Sequence, residues 1–138
     1  MCLTKKERYA VTALLHLALN DRTPMVLDDI AKRQEISLSY LSRLFCCMRK
    51  AGLVKSIRGP GGGYILAKPA NNITISEILD SVNNKTKLSV CHSLQNDTYE
   101  AKYLYTNLWN LIDQEILIYL SKITLTDVIA LKIASIKK

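Results

Sequence analysis

Leu53-Val54-Lys55-Ser56-Ile57-Arg58-Gly59-Pro60-Gly61-Gly62-Gly63-Tyr64-Ile65-Leu66-Ala67 is the stretch on which the fold turns. Its first five residues alternate and are rich in β-branched side chains, which predicts a strand. Arg58 to Gly63 is the strongest turn signal in the chain, and Tyr64 to Ala67 reads as the returning strand. Glycines and a proline at the tip let the backbone adopt positive φ and approach a phosphate ribbon closely. A nucleotide-binding loop is the rival reading of so many glycines. Against it, no helix follows and the GK[ST] signature is absent.

What precedes the hairpin makes it a wing. Ser37 is placed to cap a helix running to about Ala51, with Gly52 positioned to end it. Upstream, Leu27 to Arg33 holds Leu27, Ile30 and Ala31 at helical spacing, and Gln34-Glu35-Ile36 reads as a tight turn. Two helices joined so closely form a helix-turn-helix. Before them, Thr4 to Asn20 reads as an amphipathic helix bearing Tyr9, Leu14, Leu15, Leu17, Ala18 and Leu19. Thr4 and Glu7 make a capping box at its start, and Asp21 to Pro24 a break at its end. In the third helix Leu38, Leu41, Leu44, Phe45 and Met48 form the expected inward stripe, which leaves Ser39, Tyr40, Ser42, Arg43, Arg49 and Lys50 outward. The N-terminal part of such a helix meets base edges in the major groove, where an arginine can pair with guanine. Ser37, Ser39, Tyr40, Ser42 and Arg43 are therefore candidate DNA contacts, joined by Arg58, Gly59, Gly61 and Gly62 of the wing. The plain alternative is an ordinary solvated helix face.

Charge supports the nucleic-acid reading. The net charge of the 138 residues is +7. Residues 1–70 carry twelve Lys and Arg against five Asp and Glu, and residues 71–138 carry seven of each sign, so the whole excess lies in the first half. A solubilising surface has no need of such asymmetry, whereas a polyanion-binding half does. Hydrophobic residues make up 49% of the chain, enough for a packed core. No run of eighteen apolar residues occurs, and the N-terminus lacks the zones of a signal peptide, so a cytoplasmic protein without a membrane contact is expected. Cys2, Cys46, Cys47 and Cys91 form no CxxC pair, which argues against a zinc ribbon, and disulfides are not expected in the cytosol.

Beyond the wing, Pro69 to Asn72 reads as a loop, and Ser76 is taken to cap a short helix from Glu77 to Val82. Residues 83–96 are polar and irregular around Cys91-His92. A long helix is predicted from Tyr99 to Lys122, and a last one from Leu125 to Ser135 capped by Thr124. The long helix carries an apolar stripe with a period near 3.5, including Leu104, Leu108, Leu111, Ile112 and Ile116. So much apolar surface on one helix of a small protein calls for a partner, most simply a second copy across a two-fold axis. The expected fold is mostly α with a small β-hairpin: a winged helix-turn-helix over 1–70, a connecting helix and loop over 71–98, and a dimerisation helix with a C-terminal helix over 99–138.

Three stretches carry a family resemblance: Leu3-Thr4 with Arg8-Tyr9-Ala10-Val11-Thr12-Ala13, then Ile36-Ser37-Leu38-Ser39-Tyr40-Leu41, then Val54 with Arg58-Gly59-Pro60-Gly61-Gly62-Gly63-Tyr64. Together with Leu108-Trp109 and Ile123-Thr124-Leu125 they span nearly the whole chain. The chain resembles the IscR-like iron–sulfur cluster regulators, winged helix-turn-helix transcription factors. The resemblance implies a homodimer acting on double-stranded DNA at promoters, typically those of iron–sulfur cluster assembly or stress genes. It further implies a two-iron cluster held before the long helix by three cysteines and a histidine. Here the departures begin. Cys91 matches the first ligand, but the second falls at Asp97, the third at Tyr103 and the histidine at Thr106. Clusters are held by thiolates, so no stable cluster is expected. The alternative is an atypical cluster site around Cys91 and His92, drawn from both subunits or using Asp97 as an unusual ligand. Cluster-binding relatives often carry an acidic residue where this chain has Ser42, and a neutral serine removes its repulsion of phosphate.

Two other classes are weaker. An enzyme needs a base beside a nucleophile, and the two histidines are His16 on the first helix and His92. Cys91-His92 is a thiol–imidazole neighbour pair, yet neighbours in a loop rarely form a catalytic dyad. An accessory protein that binds another regulator through its long helix, without DNA, is the other class. A mobility shift at moderate salt with competitor DNA separates both from a DNA-binding regulator.

Overall fold

The computed structural model describes residues 4–20, 23–83 and 99–137, with side chains through residue 131. Local chemistry sets the first helix, α1 (Lys5–Leu19). The Thr4 hydroxyl accepts from the Glu7 N–H at 3.3 Å, and the Glu7 carboxylate accepts from the Thr4 N–H at 2.8 Å. Ala10, Ala13, Leu14 and Leu17 face the core, while Leu19, expected among the apolar residues of this helix, is exposed. The Glu7 side chain is itself buried, and the Asn83 amide donates to it from the other side. A carboxylate so enclosed is tolerated because donors meet its oxygens.

Helix α2 (Leu27–Gln34) ends at Glu35, whose left-handed backbone (φ 56°) lets the Ile36 N–H reach the Ala31 carbonyl at 3.1 Å. Ser37 then opens α3 (Leu38–Lys50), its Oγ accepting from the Tyr40 N–H at 3.2 Å. Leu41, Leu44, Phe45 and Met48 are buried as expected. Leu38 is not: it stands in the first turn beyond the reach of the core, 45% exposed. Strands β1 (Val54–Ile57) and β2 (Gly63–Leu66) pair antiparallel from Val54 opposite Leu66 to Ile57 opposite Gly63. On the other side of β2, Met25 exchanges two backbone hydrogen bonds with Tyr64, at 3.0 and 2.8 Å. That bridge ties the wing to the chain just ahead of α2.

A short 3-10 turn (Ala70–Asn72), where a plain loop was expected, leads into α4 (Ile75–Val82). The cap of α4 is Thr74 rather than Ser76, and the helix starts two residues earlier than the sequence suggested. Glu77 decides this. It lies three residues after Thr74, so the two side chains can satisfy each other's backbone N–H groups, at 3.0 and 3.2 Å. Lys68 adds an ion pair at 2.9 Å. The backbone N–H of Thr74 and then the Lys68 ammonium hold the Glu77 carboxyl below its ordinary value of 4.5. A depressed carboxylate contributes stability above the unfolded-state value and loses it as pH falls through the folded one. Glu77→Gln keeps the cap but removes the charge. The stability gap between wild type and variant, measured by urea unfolding, is expected to be open at neutral pH and to close as the pH falls below the ordinary carboxylate range and through the depressed folded-state value. A gap that persists unchanged in acid would remove the charge from the account.

Helix α5 (Tyr99–Leu120) stops two residues short of the expected end, and α6 (Leu125–Lys137) follows after a turn. Thr124 caps α6 with Asp127 as its reciprocal partner, at 3.2 and 2.9 Å. Thr124 also bridges Thr74, with the Ile75 N–H on the Ile123 carbonyl at 2.9 Å and the Leu125 N–H on the Ile73 carbonyl at 3.0 Å. Leu125 thereby joins one core with residues of α1, α3, β1 and α4. That core draws on segments from either side of positions 70 and 98, where segment boundaries were read from the sequence. Among the described residues, no helix is long and apolar enough to cross a membrane.

Candidate nucleic-acid interface

The turn between α2 and α3 presents the N-terminal half of α3 outward. Ser37, Ser39, Ser42 and Arg43 are exposed there, and Tyr40 is half-buried. Residues three and four apart share a helix face, so Ser39, Ser42 and Arg43 lie on one side. Ser37 caps the helix rather than pointing away from it, and its Oγ lies 3.5 Å from that of Ser39. Tyr40 is held from two directions. The ring of Tyr9, on α1, meets it edge-on at 6.0 Å and 84°, and the Arg43 guanidinium lies 5.9 Å from its centroid. Tyr9 was read from the sequence only as an apolar residue of the first helix. Its contact with α3 depends on how two helices cross, which no local pattern carries.

The wing tip is built by a turn of the kind its residues demand. The Gly62 N–H donates to the Gly59 carbonyl at 2.9 Å, with Pro60 and Gly61 between them. Pro60 supplies the fixed φ of the first central position, and Gly61 the positive φ (75°) of the second, as in a type II turn. Gly63 is required for another reason: a Cβ there would lie 2.4 Å from the Met25 carbonyl oxygen and break the bridge that anchors β2. Arg58, Gly59 and Gly61 are exposed at the tip and Gly62 is half-buried. Behind the hairpin, Tyr64 packs edge-on against Phe45 of α3 at 4.9 Å, so the wing and the exposed helix share one support. Lys55 on β1 and Arg49 and Lys50 at the end of α3 are also exposed. The exposed arginines and lysines of α3 and the hairpin put cationic groups on both parts of the candidate interface.

Cys91, His92 and Asp97 lie outside the described residues. Tyr103 and Thr106 are both exposed on α5. Among the described residues no group of three or more His, Cys, Asp or Glu is arranged to hold a metal ion.

A helix-turn-helix with an exposed, serine-capped second helix and a basic hairpin packed behind it defines a winged helix-turn-helix DNA-binding protein. The chain belongs to the Rrf2 family, described as iron-dependent transcriptional regulators, whose profile matches residues 3–131. It is 47% identical over 133 residues to a candidate HTH-type transcriptional regulator of Neisseria meningitidis, covering 96% of this chain and 90% of that one. It is 44% identical over 130 residues to the HTH-type transcriptional regulator IscR of Klebsiella pneumoniae, covering 94% and 80%. In three dimensions it is similar to IscR of T. potens (TM-score 0.76, 33% identity, 94% and 87% covered). It is also similar to CymR, the global cysteine regulator of B. subtilis (TM-score 0.73, 31% identity, 93% and 95% covered). The protein is thus an IscR-like transcriptional regulator that binds DNA, and not an enzyme.

Proposed function

We propose that the protein acts in the cytoplasm as a homodimer at promoters of iron–sulfur cluster assembly genes and binds them without a cluster of its own. The observation that carries the DNA-reading part is the exposed row Ser39, Ser42 and Arg43 on α3 beside the exposed Arg58 of the wing. In this reading α3 lies in the major groove, with Arg43 placed for a guanine edge. Arg58 and the wing tip engage phosphates or the minor groove. The choice of genes rests on the IscR relatives. Mobility shifts on an iron–sulfur assembly promoter, with excess competitor duplex, test it: specific retention is expected at moderate salt. Arg58→Ala is expected to weaken binding to all duplexes alike and to reduce the slope of log K against log salt by about one per protomer. An unchanged slope removes Arg58 from the phosphate contacts.

The donors at the matching positions are unsuited to a cluster. A phenol at Tyr103 and a hydroxyl at Thr106 do not fit the ligand set of a two-iron cluster, which takes thiolates with histidine as their usual substitute. A neutral Ser42 removes the charge that would make phosphate binding conditional. Anaerobic reconstitution with iron and sulfide is expected to leave operator affinity unchanged and the protein free of stoichiometric visible absorption. A cluster that forms and shifts affinity overturns this reading, and its loss on Cys91→Ser would then place it at the atypical site around Cys91 and His92.

A further inference from the structure

Arg43 is a long side chain at the exposed face of α3, and a free arginine there has many rotamers to surrender before it can meet a base. The structure shows it already leaning on a ring. Its guanidinium lies 5.9 Å from the Tyr40 centroid, within the range of a cation–π contact. Tyr40 and Arg43 are one turn apart, so the contact is local to α3. Tyr40 itself is set by a residue from another helix, through the edge-on contact of Tyr9 at 6.0 Å and 84°. The backbone beneath Tyr40 is fixed as well, by the Ser37 cap on its N–H. We infer that Tyr9 is a positioning residue for sequence reading: through Tyr40 it holds Arg43 in the pose that meets a guanine. The inference rests on the reading of Arg43 as a base contact. It adds that base preference is shared between α1 and α3 and is therefore sensitive to how these helices sit together.

The chemistry limits what Tyr9 contributes. An arginine that loses its support keeps its charge, so attraction to phosphate and the salt dependence persist. What is lost is the ordering that favours one base over another. A positioning role therefore separates from a structural one by its readout: preference changes while the salt slope and the fold do not.

The test uses the full-length protein and duplexes selected by it from a random-core library, then re-selected by Arg43→Ala, Tyr9→Leu, Tyr9→Phe and Tyr40→Leu. Arg43→Ala is expected to erase preference for one guanine per half-site. Tyr9→Leu and Tyr40→Leu are expected to weaken that same preference by about fivefold, close to 1 kcal/mol at 1.4 kcal/mol per tenfold. Tyr9→Phe keeps the ring and is expected to keep the preference. Combining Tyr9→Leu with Arg43→Ala should add nothing to Arg43→Ala alone. If Arg43→Ala selects the same sequences as wild type, the reading of Arg43 fails. If Arg43→Ala erases the preference but Tyr9→Leu, melting normally, retains it, the positioning inference is overturned. Should Tyr9→Leu not fold, Tyr9→Met, which keeps an apolar chain of similar reach without the ring, decides the matter by the same readout.

Discussion

Replacing Leu108 and Leu111 together by lysine is expected to leave the protein a monomer, where the proposed homodimer would otherwise form, and to weaken operator binding by about 10²–10⁴-fold. Helix α5 has 22 residues, about 33 Å at 1.5 Å per residue, and Asp113 is its one buried side chain. Leu104, Leu108, Leu111 and Ile118 are exposed at alternating steps of four and three or seven residues, the seam of a coiled coil. Ile112 and Ile116, expected in the same seam, are half-buried on its flank. Leu104 at 66% and Leu111 at 61% exposure are far outside what a lone helix leaves to water without reason. A second copy laid along this face by a two-fold axis covers all of them at once, because each seam residue meets its own counterpart or that of a neighbour. Four lysines buried in such a seam must give up their hydration, and each carries a penalty of several kcal/mol. Operator affinity falls with the dimer because each half-site then binds alone. Light scattering reads the mass directly, against 15.5 kDa for one chain. A double variant that keeps twice that mass would show that the seam lies elsewhere.

The second large effect lies where the wing meets α3. Phe45→Ala is expected to lower stability by about 3–5 kcal/mol. Phe45 is fully buried, and its ring supports Tyr64 at 4.9 Å and 67°. Truncation leaves a cavity between α3 and β2, two elements that cannot both move in to fill it: α3 is fixed by Leu41, Leu44 and Met48, and β2 by its bridge to Met25. Small domains are stable by only about 5–15 kcal/mol, so this change removes a large share. Urea unfolding with an unaltered m-value measures it. Phe45→Leu keeps most of the volume and is expected to cost less than about 1.5 kcal/mol. A loss below about 1 kcal/mol in the alanine variant would mean the wing is supported by something other than this ring pair.

Much of the DNA-binding half was legible because its signals act over three or four residues. Thr4 with Glu7, Ser37 ahead of Leu38, Gly52 after α3 and Gly59 to Gly63 each satisfy or shape backbone within one turn, so the order of near neighbours reports them. The cap of α4 was misplaced although its signal was of the same kind: Ser76 and Thr74 are both capping residues, and the decision lay with Glu77. Leu38 departs from its stripe for a different reason. A periodic stripe says which residues share a face, not where along the helix the core ends.

The chain's own chemistry therefore determined the order of elements, the winged helix-turn-helix and the cationic half, since caps, turns and charge are properties of neighbours in sequence. Tertiary structure alone decided that Met25 bridges Tyr64, that Tyr9 stands against Tyr40, and that Thr74 pairs with Thr124 to bring Leu125 into the core. These contacts join residues 31 to 50 positions apart. Their energy comes from surfaces that exist only once the helices have packed, so no local pattern announces them.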